Sequence, residues 1–261
     1  TNNIDWSTFN PYVDNRLSYK KNRLNMSFGI PFQWYNLTNK LVDSKKTFNR
    51  FYIEPKFNLS LDFSKFWKVL TSQNFSNDLG SLTNLHDGFI LYNYNSIKQK
   101  SGDFNEVKKW NSSLRFEYKN PIKSRFINFG YSYSWNENNL LYNYKYNEDA
   151  STILEVINQK NHQQTHAINA KISQYFSKIK TTFNLAGGYN FTTYDQLLND
   201  DLIEIHNTIL TSNFDASFRL LSWMTFEYKY GLTNYKNKFS KESESRSITN
   251  QIHQIGLHFF P

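Results

Sequence analysis

Six histidines, 22 carboxylates and no cysteine are the groups from which this 261-residue chain could build a catalytic or metal centre. His162 and His166 have the spacing of a helical metal pair, yet on a strand four residues separate them by about 13 Å. His253 and His258 differ by an odd number, so on a strand they face opposite ways. Asn199, Asp200 and Asp201, with Glu204 and His206, offer oxygen ligands for a hard cation. The same run suits a solvated acidic loop, and that reading is adopted. Without cysteine there is no disulfide framework and no thiolate site. The sequence has no Gly-rich phosphate loop, no zinc spacing and no Gly-x-Ser-x-Gly elbow. No catalytic residue, metal ligand or cofactor is therefore assigned. A hydrolase would have to use His253 or His258 beside a Ser or carboxylate, with no local motif to support it.

The elements that would position these groups are strands. The chain holds 23 Phe, 18 Tyr and 6 Trp, with 35 Asn against five Ala, while apolar residues make up only 39%. That composition suits strands and turns and excludes an all-helical protein. Its apolar runs are far shorter than the ~20 residues a membrane helix needs.

Read with a period of two, the chain resolves into long alternating stretches. Over residues 24–34, Leu24, Met26, Phe28, Ile30, Phe32 and Trp34 share one face against Asn25, Ser27, Gly29, Pro31 and Gln33. Over 51–63, Phe51, Ile53, Phe57, Leu59, Leu61 and Phe63 oppose Tyr52, Glu54, Lys56, Asn58, Ser60 and Asp62. Over 179–193, Ile179, Phe183, Leu185, Tyr189 and Phe191 oppose Lys180, Thr182, Asn184, Gly188 and Asn190. Further stretches cover 110–118, 127–135, 168–176, 210–220 and 224–232, the last with Phe226 and Tyr228 on its apolar face; weaker ones begin near Phe9, Phe66 and Ser247. That makes about eleven strands.

Their length is decisive. A mean soluble strand has about 5–6 residues, and a tilted strand that crosses a membrane about 9–11. The nearly charge-free face ends in rings: Trp34 with Tyr35, Phe63 with Trp67, Trp135, Tyr189 with Tyr194, Trp223, Tyr230 with Tyr235, and Phe259. Aromatic girdles around an apolar band are the pattern of a transmembrane barrel. A mean hydropathy of −0.68 is compatible with it, since a barrel gives only half its strand positions to lipid. Connections alternate as well. Short turns are expected at 20–23, 64–65, 119–123, 177–178 and 221–222, and long polar loops at 36–47, 73–109, 136–165, 195–207 and 236–246.

The formal charge of +8 raises nucleic acid as a partner. The Lys and Arg crowd the short turns, while the rings lie on the face turned away from the charged rows, so no stacking groove forms and nucleic acid is excluded. The polar rows hold Glu54, Lys56 and Asp62, then Asn213 and Asp215, then Glu227 and Lys229, as candidates to line a lumen. Tyr92, Tyr94, Phe104, Tyr142, Tyr144 and Tyr146 stand in the expected long loops, where rings beside Asn and Asp stack on sugars or peptides or extend strands above the membrane.

Gly80-Ser81-Leu82-Thr83-Asn84-Leu85-His86-Asp87-Gly88-Phe89-Ile90-Leu91-Tyr92-Asn93-Tyr94, with the opening Leu17-Ser18-Tyr19-Lys20-Lys21-Asn22-Arg23-Leu24, resembles the barrel of TonB-dependent outer-membrane receptors from Bacteroidota. The resemblance implies a 22-stranded barrel with a plug and uptake of bulky nutrients through the TonB complex. Neither a plug nor a TonB-box segment is visible in residues 1–261. The expectation is thus an all-β, antiparallel transmembrane barrel of the bacterial outer membrane, with residues 1–261 a single segment of a larger wall. Its partners would be outer-membrane lipid and lipopolysaccharide and, through other parts, the TonB complex and a surface lipoprotein. The alternatives are a passive porin or structural barrel subunit, then the hydrolase.

Overall fold

A computed structural model describes residues 5–41, 44–79, 87–101, 104–148, 151–241 and 244–259. The Gly80–His86 part of the quoted motif and Pro261 lie outside them. The described residues are all-β and mostly antiparallel, apart from one 3-10 turn at Ser177–Ile179.

Three of the chain's five prolines explain the first strands. β1 (Asp5–Phe9), β2 (Tyr12–Val13) and β3 (Arg16–Lys21) are parts of one ribbon, as are β4 (Leu24–Gly29) with β5 (Phe32–Leu41), and β6 (Ser44–Ile53) with β7 (Lys56–Leu61). Pro11, Pro31 and Pro55 interrupt them because proline has no N–H to donate. Their carbonyls still accept, from Trp34, Glu54 and Phe75, at 3.0 Å each. The register passes through unchanged: Phe9, Tyr12 and Arg16 lie opposite Asn36, Gln33 and Gly29.

The remaining long strands are β8 (Trp67–Leu79), β11 (Glu106–Asn120), β12 (Arg125–Asn138), β15 (Asn161–Phe176), β16 (Thr181–Leu198), β17 (Asp201–Leu221), β18 (Met224–Phe239) and β19 (Ser245–Phe259). With the three ribbons they make eleven long antiparallel crossings, each paired to its neighbours in chain order. β3 and β19 end the broad sheet, and no pairing joins them among the described residues. Closure into a barrel and a count near 22 are therefore not part of what is observed.

The expected long loops at 36–47, 195–207 and 236–246 are mostly strand. β16 and β17 run on to a two-residue turn, with Asn199 and Asp200 at φ 50° and 67°. Positive φ at both positions is the geometry whose twist suits a tight hairpin. Alternation fades there because both faces mix apolar with polar side chains, with Leu197 and Leu202 on one and Ile203 and Ile205 on the other, while pairing continues. The 73–109 and 136–165 connections contain hairpins of their own, β9 (Asp87–Asn93) with β10 (Ser96–Ser101) and β13 (Leu141–Tyr146) with β14 (Thr152–Ile157). β15 pairs with β16 only as far as Gln163 opposite Tyr194. Beyond that point β13 takes the vacated edge in parallel, with Asn143 and Tyr144 opposite Leu197 and Leu198. β10 adds to β14, also in parallel.

Most buried apolar side chains lie in this extension and at the β5–β6 hairpin, while along the broad sheet Ala216 and Thr181 are buried too. Leu140, Leu141, Val156, Leu197, Ile203 and Ile205 are buried around the extension, and Leu37 with Phe48 packs under Leu79 and Phe104.

Candidate functional site

The register decides which side chains share a face, because directly opposed residues point the same way. Leu17, Phe28, Phe57 and Gln73 form one such row, and Tyr19, Met26, Leu59 and Thr71 the next. Leu61 lies opposite Leu24 and Val69. Phe183 faces Ala216 and then Tyr228, Leu185 faces Phe214 and then Tyr230, and Phe226 sits between Phe218 and Leu257. Ile30 falls in the proline break, its N–H bonded to the Asn15 carbonyl at 3.0 Å. These side chains form one apolar face, and it is open to its surroundings: Leu185 is 51% exposed and Ile255 71%.

Rings bound this face at both ends. Toward the short turns, Trp67 packs on Phe63 and Tyr118, and Trp223 stacks on Phe259. Toward the hairpin extension, Trp110 meets Tyr133, Trp135 stacks on His162, and Phe191 stacks on His206. From Trp110 to Tyr118 the strand rises roughly 26 Å at about 3.3 Å per residue. Three rings of the expected girdle belong elsewhere. Tyr35, Tyr194 and Tyr235 stand at odd offsets from Trp34, Tyr189 and Tyr230, so they point to the opposite, polar face.

On that polar face Lys56 opposes Gly29 and Asn74, Asn213 opposes Gly231, and Asp215 stands between Asn184 and Lys229. Glu227 lies 3.5 Å from Lys229 and 3.3 Å from His258, and Asp62 lies 4.0 Å from Lys68. Glu54 does something else. Where β6 leaves β8 beyond Pro55, its buried carboxylate accepts the Asn77 backbone N–H at 2.7 Å, replacing a lost ladder bond.

The histidines are distributed as side-chain partners rather than gathered. His166 Nδ1 is 2.9 Å from the Tyr131 hydroxyl, and His253 Nδ1 is 2.9 Å from that of Tyr228 on the apolar face. Asp201 pairs with Lys241 at 2.8 Å, and Glu204 lies 3.6 Å from His206. Asp200 accepts from Asn143 at 2.8 Å and pairs with Lys145, which also binds Glu155. The ammonium of Lys145 holds the Asp200 carboxyl below its ordinary range, and the two carboxylates push Lys145 upward. Among the described residues no group of three or more such side chains could hold a metal ion.

Sequence reasoning missed this Lys145–Glu155–Asp200 network. Its members are 55 residues apart at the extreme, and only the parallel docking of β13 brings them together. It also missed a cavity of about 580 Å³ at the same end of the polar face, between Tyr146, Tyr194, Asn237 and Phe239.

No protein-family model and no curated protein sequence matches the chain. Among solved structures it is similar to OmpT (in-vitro folded), an outer membrane protein from Vibrio cholerae (trimer form), at 9% identity and a TM-score of 0.37. That match covers 98% of this chain and 99% of the other. So distant a likeness carries neither a fold nor an activity across.

Proposed function

We propose that this chain is wall of an outer-membrane β-barrel whose task is energy-coupled uptake of a solute too large for passive pores. The observation that carries the membrane reading is the exposed apolar face. Phe28, Leu185, Leu210, Ile255 and Leu257 are each between 44% and 71% exposed, on one side of a sheet eleven crossings wide. Monomeric soluble proteins rarely leave more than a few hundred Å² of contiguous apolar surface in water. Lipid and lipopolysaccharide would cover this face, with the two ring levels at the interfaces.

Among the described residues nothing pairs with the outer sides of β3 and β19, which supports a larger wall. In hydrocarbon each unpaired backbone group costs several kcal/mol, so a membrane sheet must be closed. Further strands beyond these edges would complete a barrel of about 22, the number the family resemblance implies. The TonB complex and a surface lipoprotein would act through parts other than these strands. On this reading the chain is not an enzyme, and His253 and His258 are wall residues.

The test is uptake in cells with and without the proton gradient across the inner membrane. Energy-coupled transport predicts that uptake stops when a protonophore removes the gradient. Passage that continues, together with ion conductance of the purified protein in planar bilayers, would establish the passive pore instead.

A further inference from the structure

The two rims of the sheet differ in charge. Residues 20–23, 62–67, 119–125, 176–181 and 219–224 make up the short-turn rim, with ten Lys or Arg against one carboxylate, Asp62. The connections toward the other rim, at 36–47, 73–109, 136–165, 195–207 and 236–246, hold thirteen against fifteen. All ten cations of the short-turn rim are exposed. Carboxylates within the sheet reach little of it: Glu117 takes Lys119 at 2.7 Å, and Asp62 lies 4.0 Å from Lys68. Arg125 and Arg219 bond to neutral acceptors, the Gln174 Oε1 at 2.6 Å and the Ser222 carbonyl at 2.9 Å. The turns recur at every second crossing, so they stand roughly 10 Å apart along the rim.

Charge alone would suit an edge in water, but the tips of these turns are apolar. Ile122 is 83% exposed beside Lys123, and Ile179 is exposed between Lys178 and Lys180. Phe63 and Trp223 are exposed at two further turns. Local bonds hold the turns open. Ser64 Oγ accepts from the Phe66 and Trp67 N–H groups at 3.3 and 3.1 Å, and Asn120 Oδ1 from that of Lys123 at 3.1 Å. An apolar tip beside a long cationic side chain suits a membrane interface, where the tip enters the acyl boundary and the cation reaches the phosphates.

We infer that the short-turn rim docks on anionic phospholipid headgroups and selects phosphatidylglycerol-type lipid over zwitterionic lipid. Short turns face the periplasm in barrels of this kind, so the leaflet concerned is the periplasmic one. A soluble acidic protein would meet the charges but leave the apolar tips unexplained, and it is the less favoured partner for that reason. The inference deepens the membrane reading and rests on it, though not on energy coupling or on any cargo.

The test is association of spin-labelled lipids with the protein reconstituted in phosphatidylcholine vesicles. Phosphatidylglycerol should associate about fivefold or more strongly than phosphatidylcholine, the contribution of one cation near an anionic surface. Lys123→Gln, Arg125→Gln, Lys178→Gln and Lys180→Gln together should remove most of that preference. Salt at about 1 M, where the Debye length is about 3 Å, should do the same. Lys236→Gln with Lys238→Gln, at the other rim, should leave it unchanged. Residues 1–261 contain no cysteine, so Ile122→Cys carries a single spin label, which should be shielded from aqueous nickel and reached by oxygen. Heat-modifiable migration confirms that each variant is inserted. Equal association of the two lipids, a preference that survives the fourfold change, loss of preference in the control pair, or a label at 122 in bulk water overturns the proposal. Retention on peptidoglycan sacculi without lipid preference overturns it too. A parent protein that does not insert into vesicles would bring down the membrane reading and this inference with it, whereas insertion without preference overturns this inference alone.

Discussion

Replacing Leu185 by arginine separates a lipid-facing wall from a water-facing sheet by both sign and size. Leu185 lies on the apolar face between Ile172 and Phe214, and about half of its surface is open. If water covers that face, the change puts a charge on an exposed site and costs within about ±0.5 kcal/mol, as surface substitutions do. It would even raise solubility. If hydrocarbon covers it, a charged side chain near the bilayer midplane costs about 2–4 kcal/mol. Since each 1.4 kcal/mol is a factor of ten, the folding equilibrium should fall by roughly thirty-fold to nearly a thousand-fold. The assay is reversible guanidinium unfolding in lipid vesicles, followed by tryptophan fluorescence, with Asn184→Arg on the opposite face as control. Phe28→Arg and Leu59→Arg should behave like Leu185→Arg. Stability within 0.5 kcal/mol of the parent for all three would refute the lipid-facing assignment.

Other perturbations probe the places where the sheet departs from regular pairing. Glu54→Gln keeps the shape but weakens the acceptor for the Asn77 N–H, and Glu54→Ala removes it; the latter should lower stability by about 1–3 kcal/mol in the same unfolding assay. Asn143 is wholly buried between Glu155 and Asp200, so Asn143→Leu should accelerate hydrogen exchange in β13 and β14 without changing exchange in β11 and β12. The same network should respond to pH at both ends. Asp200 is lowered from 3.8, so its contribution is complete above that value and lost as pH falls through the lowered one. Lys145 is raised from 10.5, so its contribution is complete below that value and lost as pH rises through the raised one. Exchange protection of the β13–β14 hairpin should therefore be flat between these values and fall outside them; a drop centred near neutrality would contradict the assignment.

The parts of the fold legible in the sequence are those where two faces meet different surroundings. Met26, Phe28, Leu59 and Leu185 alternate with Ser27, Asn58 and Asn184, and that contrast reveals a strand before any coordinates exist. Past the upper rings the contrast disappears. Residues 195–207 and 236–246 read as loops although pairing continues through Asp195 opposite Glu204 and Lys238 opposite Ser245. The prolines at 11, 31 and 55 were visible, but their alignment on three adjacent ribbons depends on register. The parallel docking of β13 on β16 follows from where β15 stops, which no local pattern encodes. For the same reason Lys145 and Asp200 could not be matched, and Asn237 looked like any other polar position. The even spacing of Tyr142, Tyr144 and Tyr146 was the one available signal for this region, and it does mark a strand.

The unbroken register has a consequence for how such a chain can vary. Across the eleven crossings the pairing keeps one alignment per pair, with a single irregularity between Arg219 and Leu221. Adding or deleting one residue inside a crossing would exchange its apolar and polar rows from that point onward, so length changes there are eliminated as a class. At the hairpin tips the same change alters only a turn. Innovation by insertion is thereby confined to the two rims of the sheet, and it has been taken furthest at the rim that holds the β9–β10 and β13–β14 hairpins, while the wall between them changes by substitution.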